Sequence, residues 1–194
     1  MLRSRAEVYE LLKELGAQEH LLLHLRLVGE AADILIQAYK EMGLSFNAGL
    51  VELGVAVHDA GKILHPQELK EPGSLHEAAG EKLLLAQGVP AEIAKCCVSH
   101  ANWHGSEVTL EERMVALADK LWKGKREEDL ELKVIDEVAA RLDKGRWEVF
   151  ESLDTVFEEI AAGGTDRLHR SRAAQPFHPA DVPRQDGSNP HVNG

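Results

Sequence analysis

The sequence predicts an all-α fold, and three observations predict it. Leu, Ala, Glu and Lys dominate the composition, and strand-type runs are scarce. Apolar residues recur three and four apart through most of the chain. The stretches that carry this spacing are bracketed by N-cap residues on one side and glycines on the other. The 194 residues suffice for one sizeable domain and are marginal for two.

The elements follow in order. Ser4 to Leu15 reads as a short helix, with Ser4 and Glu7 at capping-box spacing and Gly16 as the stop. A longer helix spans about Gln18 to Glu41, its apolar stripe formed by Leu21, Leu25, Val28, Ala32, Leu35 and Ala38. His20 and His24 sit on it at i and i+4, with His20 read as a surface or outer residue. After the cap region Ser45-Phe46-Asn47, a helix from about Ala48 to Ile63 is apolar nearly all round and therefore expected to be buried. It carries Val57-His58-Asp59-Ala60-Gly61-Lys62. A buried His and Asp need partners, and a metal ion could take a ligand atom from each. Lys62 lies one turn beyond His58 and can reach the same mouth. Gly61 would leave room for a ligand to approach the backbone.

His65 to Gly73 is a loop by its two prolines and glycine. Ser74 opens the next helix with Glu77 at capping-box spacing, which puts His76 in the first turn; Gly88 closes it. Pro90 starts a helix that ends at His100. Ala101 to Val108 is a polar loop with Asn102, Trp103, His104 and Gly105, followed by a capping box of Thr109 and Glu112. The helix Leu110 to Trp122 embeds Asp119 among apolar residues, an unusual place for a lone carboxylate. The basic cluster Lys120 to Arg126 follows at once, and it suits either substrate phosphate or the dipole of a helix C-terminus. Glu127 to Leu142 and Arg146 to Ile160 are two more amphipathic helices. Beyond Gly163-Gly164 the composition turns to Pro, Gln, Asn, Asp, Ser and Gly, so the reading is a domain over 1–163 and a disordered tail over 164–194.

Charge and cysteine content narrow the function classes. The net charge is 22 − 33 = −11 with His neutral, which argues against long nucleic acid as a partner. A small anionic substrate remains compatible if metals supply local positive charge. Cys96 and Cys97 are neighbours, too close in sequence for an ordinary helical disulfide, and read as buried thiols. No N-terminal signal-type segment and no run near the ~18 apolar residues of a membrane span are present, so a cytoplasmic protein with no membrane partner is expected.

His24, His58-Asp59, His76, His100 and Asp119 fall on five expected helices that share one core. Four imidazoles and two carboxylates suit iron, manganese, zinc or magnesium. Here the sequence resembles the HD-domain superfamily of metal-dependent phosphohydrolases. The resemblance is carried by His24-Leu25-Arg26-Leu27-Val28, Val57-His58-Asp59-Ala60-Gly61-Lys62, His76 with Gly80, Ser99-His100 and Ala116-Leu117-Ala118-Asp119-Lys120, across about residues 20–125. It implies a helical bundle with central metals: His24, His58, Asp59 and Asp119 on one ion, His76 and His100 on a second, and Asp59 bridging. The two-metal branch includes symmetrical diadenosine tetraphosphatases and cyclic-di-GMP phosphodiesterases. The Gly-Tyr-Pro motif of the latter is replaced here by Ala101-Asn102-Trp103-His104-Gly105.

The activity so implied is hydrolysis of a phosphate ester or anhydride of a nucleotide or other small phosphorylated metabolite, with one or two divalent ions. Asp59 and Lys62 would carry it, Lys62 holding a phosphate oxygen. His104 would protonate the leaving group, or be merely exposed. Trp103, Lys120 and Lys123 would contact substrate. The alternatives are a di-iron oxygenase on the same fold and a non-catalytic sensor module. Nothing in the sequence indicates an oligomeric state.

Overall fold

The computed structural model describes residues 2–173. Ten α-helices and two 3-10 turns make up its regular structure, and no strand occurs among the described residues. The helices are α1 (Arg5–Glu14), α2 (Glu19–Glu41), α3 (Ala48–Val57), α4 (Leu75–Ala86), α5 (Ala91–Ala94), α6 (Cys96–Ser99), α7 (Leu110–Leu121), α8 (Glu128–Arg141), α9 (Arg146–Ala162) and α10 (Gly164–Ala173). The all-α class is as the sequence predicts.

Helices α2, α3 and α7 form the centre. Leu25, Val28 and Leu35 of α2, Val51 and Val55 of α3, and Met114, Leu117 and Leu121 of α7 are fully buried. Each such side chain contributes roughly 1.5–3 kcal/mol by leaving water. Ser4 and Thr109 cap α1 and α7 as expected; Thr109 and Glu112 satisfy each other's backbone N–H in a full capping box. Cys96 and Cys97 are both buried, and burial pushes the Cys96 thiol up to about 12, so it stays protonated.

The structure departs from the sequence reading at three helix ends. Helix α3 stops at Val57 rather than Ile63, and the chain tightens into a 3-10 turn over Ala60–Ile63. Packing explains the change. Gly61 is buried against the backbone of His76 and Gly80, and a Cβ on Gly80 would lie 2.8 Å from the Gly61 nitrogen. The glycine of the His-Asp-x-Gly-Lys segment therefore admits helix α4, not a ligand. The expected Ser74–Glu77 capping box does not form, because Ser74 makes no side-chain cap bond. Glu68, from the second 3-10 turn (Pro66–Leu69), accepts from the N–H groups of Leu75 and His76 instead, both at 3.1 Å.

The third departure is the tail. Residues 164–173 form α10, which packs on α2 and α9; residues 174–194 lie outside the described residues. The domain boundary at 163 is thus placed too early. Arg167 seats the helix. Its buried guanidinium donates to the carbonyls of Trp122 (2.8 Å), Leu121 (3.4 Å) and Ile160. These are carbonyls at the C-terminal ends of α7 and α9, where the helix dipole favours a cation. Gly164 meets Gly124 backbone to backbone, a contact that a Cβ on Gly164 would obstruct by running into the Gly124 nitrogen. We expect Arg167→Ala to cost about 3 kcal/mol, since three carbonyls at helix ends lose a charged donor in a buried site. That corresponds to a fall in Tm of about 6–12 °C for a domain of this size. An unchanged Tm would show that α10 is not anchored through Arg167.

Candidate metal centre

Five elements meet at one point beneath a cleft. Helix α2 supplies His24, the C-terminal end of α3 supplies His58 and Asp59, the first turn of α4 supplies His76, the end of α6 supplies His100, and α7 supplies Asp119. The six residues read from the sequence as metal ligands thus converge. His58, Asp59, His76, His100 and Asp119 are buried, and the His24 side chain is only 13% exposed.

Their ligand atoms form two groups, His24–His58–Asp119 and Asp59–His76–His100, each with its atoms within 4.8 Å of one another. Asp59 lies between them. Its Oδ2 is 2.9 Å from His24 Nε2 and 3.6 Å from His58 Nε2. Its Oδ1 is 3.2 Å from His76 Nε2 and 3.8 Å from His100 Nε2. One oxygen therefore faces each group, as a bridging carboxylate would. Asp119 Oδ1 completes the first group at 3.6 Å from His58 Nε2 and 3.9 Å from His24 Nε2.

The residues fit a metal on grounds of hydrogen bonding alone. The Nε2 atoms of His24, His58 and His76 are buried and have no hydrogen-bond partner. Buried polar atoms are normally satisfied, so these orphaned nitrogens, two in the first group and one in the second, call for a partner. The tautomers agree. His58 Nδ1 donates to the Val55 carbonyl at 2.9 Å and His100 Nδ1 to the Cys96 carbonyl at 3.2 Å. A carbonyl only accepts, so each Nδ1 carries a proton, and in its neutral form each ring presents a lone pair at Nε2.

Protonation energetics point the same way. Burial raises the Asp59 carboxyl, but the imidazoles of His58, His24 and His76 around it outweigh that and hold Asp59 well below the usual carboxylate range. Asp119 is likewise raised by burial and then lowered well below that range, first by the neighbouring His58 imidazole and by Lys123. Burial and the neighbouring His58 push His100 down to about 4, which leaves it neutral near pH 7. Two ionised carboxylates and a neutral imidazole are the forms that bind divalent ions.

Glu68 had no signal in the sequence. Its Oε2 lies 2.5 Å from His76 Nδ1, while the same carboxylate caps the start of α4. A carboxylate on the far nitrogen of a ligating His fixes ring orientation and raises ligand basicity. Glu68→Gln should therefore weaken metal binding about 10–100-fold, read by competition with a chelator of known affinity. Unaltered affinity would reduce Glu68 to a helix cap.

The cleft above the cluster has a volume of about 470 Å³. Lys62, Lys120 and Lys123 line it, as the sequence reading had them near substrate. Lys62 Nζ is 2.7 Å from Asp59 Oδ2. Trp103 and His104 do not line it. Trp103 is buried in the hydrophobic core and His104 stacks on it, ring centroids 3.4 Å apart, with its other face in solvent. Arg113 holds their loop by donating to the carbonyls of Trp103, Gly105 and Val108. Both residues are therefore withdrawn from the substrate and leaving-group roles read for them. His20, Trp122, Leu168, Ser171 and Arg172 line the cleft without having been anticipated there. His20 could have been found by its spacing from His24; the α10 residues could not, since they belonged to the supposed tail.

The helical bundle thus closes two adjacent His/Asp groups, each of which could hold a metal ion, around the Asp59 carboxylate. The HD domain family model matches residues 7–123, more than half of the chain, and the chain belongs to that family. No curated protein and no solved structure matches it. The family fits both the all-α fold and the His/Asp groups, and its members are mostly hydrolases, some being non-catalytic. Among the described residues no helix is long and apolar enough to cross a membrane.

Proposed function

We propose that this chain is a metal-dependent phosphohydrolase that cleaves a phosphate ester or anhydride of a small phosphorylated metabolite, a nucleotide among the candidates. The observation that carries the reading is Asp59, with one carboxylate oxygen toward each ligand group. His24, His58, Asp59 and Asp119 would hold one ion, and Asp59, His76 and His100 a second. Such ions, when bound, lower the pKa of coordinated water and stabilise charge on phosphoryl oxygens.

The chain's own residues supply the rest. Lys62 sits at the cluster's edge, where its ammonium would take a non-bridging oxygen as charge builds there. Lys120, which also lines the cleft, would help hold the phosphoryl group in register. Burial lowers His20, and His24 and Lys62 lower it further, so this imidazole on the wall is neutral near pH 7 and can accept a proton.

The same ligand set would serve a di-iron oxygenase, but the lysines of the cleft favour an anionic substrate. The test is reconstitution with iron, manganese, zinc or magnesium, followed by a phosphate-release assay over a nucleotide and sugar-phosphate panel. Release that is lost on chelation and restored by metal is expected. Oxygen consumption without phosphate release would overturn the reading.

A further inference from the structure

The cleft is larger than one phosphoryl group needs. About 470 Å³ lies in the range of sites that enclose a whole small molecule. What the remainder of that molecule carries can be read from the walls. Two of the cleft's cations are taken: Lys62 pairs with Asp59 at 2.7 Å and Lys120 faces Asp119 at 3.5 Å. The third acid of the lining, Glu77, accepts from Asn102 at 3.1 Å. Lys123 and Arg172 also line the cleft, and among the described residues neither makes an ion pair. The four basic side chains of the cleft thus outnumber its three carboxylates, in a protein with net charge −11. Such a surplus in a concave, partly dry site attracts anions.

The wall is constructed rather than incidental. Arg172 stands on α10, outside the segment that matches the HD family model. Arg167 anchors that helix to the last carbonyls of α7, one residue before Lys123. Arg170 pairs with Glu30 of α2 at 2.9 Å, and Gly164 closes on Gly124. These contacts hold α10 beside the end of α7, and Arg172 shares the cleft lining with Lys120 and Lys123. The aromatic side of the lining is thin: Trp122 is buried with its ring edge-on to His24, centroids 4.9 Å apart, and offers no paired faces for stacking a base.

We infer that Lys123 and Arg172 form a second anion-binding locus in the cleft, so that the substrate carries a further phosphate, or an equivalent anionic group, besides the phosphoryl group presented to the metal cluster. This rests on the phosphohydrolase reading for the first locus only. The second is defined by α7 and α10 whatever reaction the cluster performs. Arginine in particular matches phosphate oxygens through its planar fork of donors.

Binding, not turnover, tests it. Methylphosphonate and 1,3-propanebisphosphonate are titrated calorimetrically into the metal-loaded full chain. The second probe adds one anionic group on a short tether and is not hydrolysable. The wild type should prefer the bisphosphonate by about tenfold or more, the equivalent of one good charge-assisted contact. The Lys123→Ala/Arg172→Ala double variant should lose most of that preference. Lys123→Arg should retain it, which separates charge from shape. Equal affinity for the two probes in the wild type, or an undiminished preference in the folded double variant, would overturn the inference. A protein that shows the preference but releases phosphate from no substrate would retain the second locus and lose the phosphohydrolase reading.

Discussion

Asp59→Ala should abolish phosphate release while leaving the helical circular-dichroism signal in place. The carboxylate turns one oxygen to each ligand group, with Oδ2 at 2.9 Å from His24 Nε2 and Oδ1 at 3.2 Å from His76 Nε2. A methyl group can neither bridge nor neutralise. The expected loss is on the order of a thousandfold or more, about 4 kcal/mol of barrier. Folding should survive because the helices around Asp59 are held by the apolar core of α2, α3 and α7 rather than by this one side chain. The variant will nonetheless be less stable, since Lys62 loses its nearest counter-charge. Retained hydrolysis in a folded Asp59→Ala protein would show that the bridging carboxylate is not the catalytic element.

The second large effect is expected from the pair His76 and His100. Their rings lie 5.7 Å apart on the Oδ1 side of Asp59, and with that oxygen they make up the whole second group. Changing both to Ala should remove about half of the bound metal. It should also cut kcat far more than it raises KM, because a second ion acts mainly on charge that develops in the transition state. The first group, His24–His58–Asp119, keeps its three ligands in this variant, so an empty protein is not expected. Full metal content in the double variant would assign the two histidines to substrate contact or to structure.

Much of this could be read from the residues in order. The long helices announce themselves because their stripes are formed by local spacing, and α2, α7, α8 and α9 fall within two residues of where periodicity and caps put them. Asp119 was legible for a chemical reason, since a carboxylate inside an apolar stretch has to be satisfied by something distant, while the full ligand set followed from the resemblance to the HD-domain superfamily. What local pattern does not carry was missed. Glu68 reaches His76 by folding back across a loop, and no helical spacing marks it. Helix α10 has a polar composition that resembles a tail, yet Arg167 is buried because carbonyls of Leu121 and Trp122, more than forty residues earlier, accept its charge. Trp103 and His104 looked like substrate contacts because they sit in a polar loop. Arg113 draws that loop's carbonyls inward and turns the indole into the core. Gly61 reads in sequence as space for a ligand, and in the fold it is space for α4.

The central claim is that two ions share Asp59. Elemental analysis of the purified full chain, after loading with each candidate metal in turn and removal of loosely bound ions, tests it most directly. For at least one metal the account predicts saturation at about two ions per chain, in keeping with the two ligand groups. Saturation at one ion under conditions that support full activity would contradict it, as would a chain that retains no metal at all.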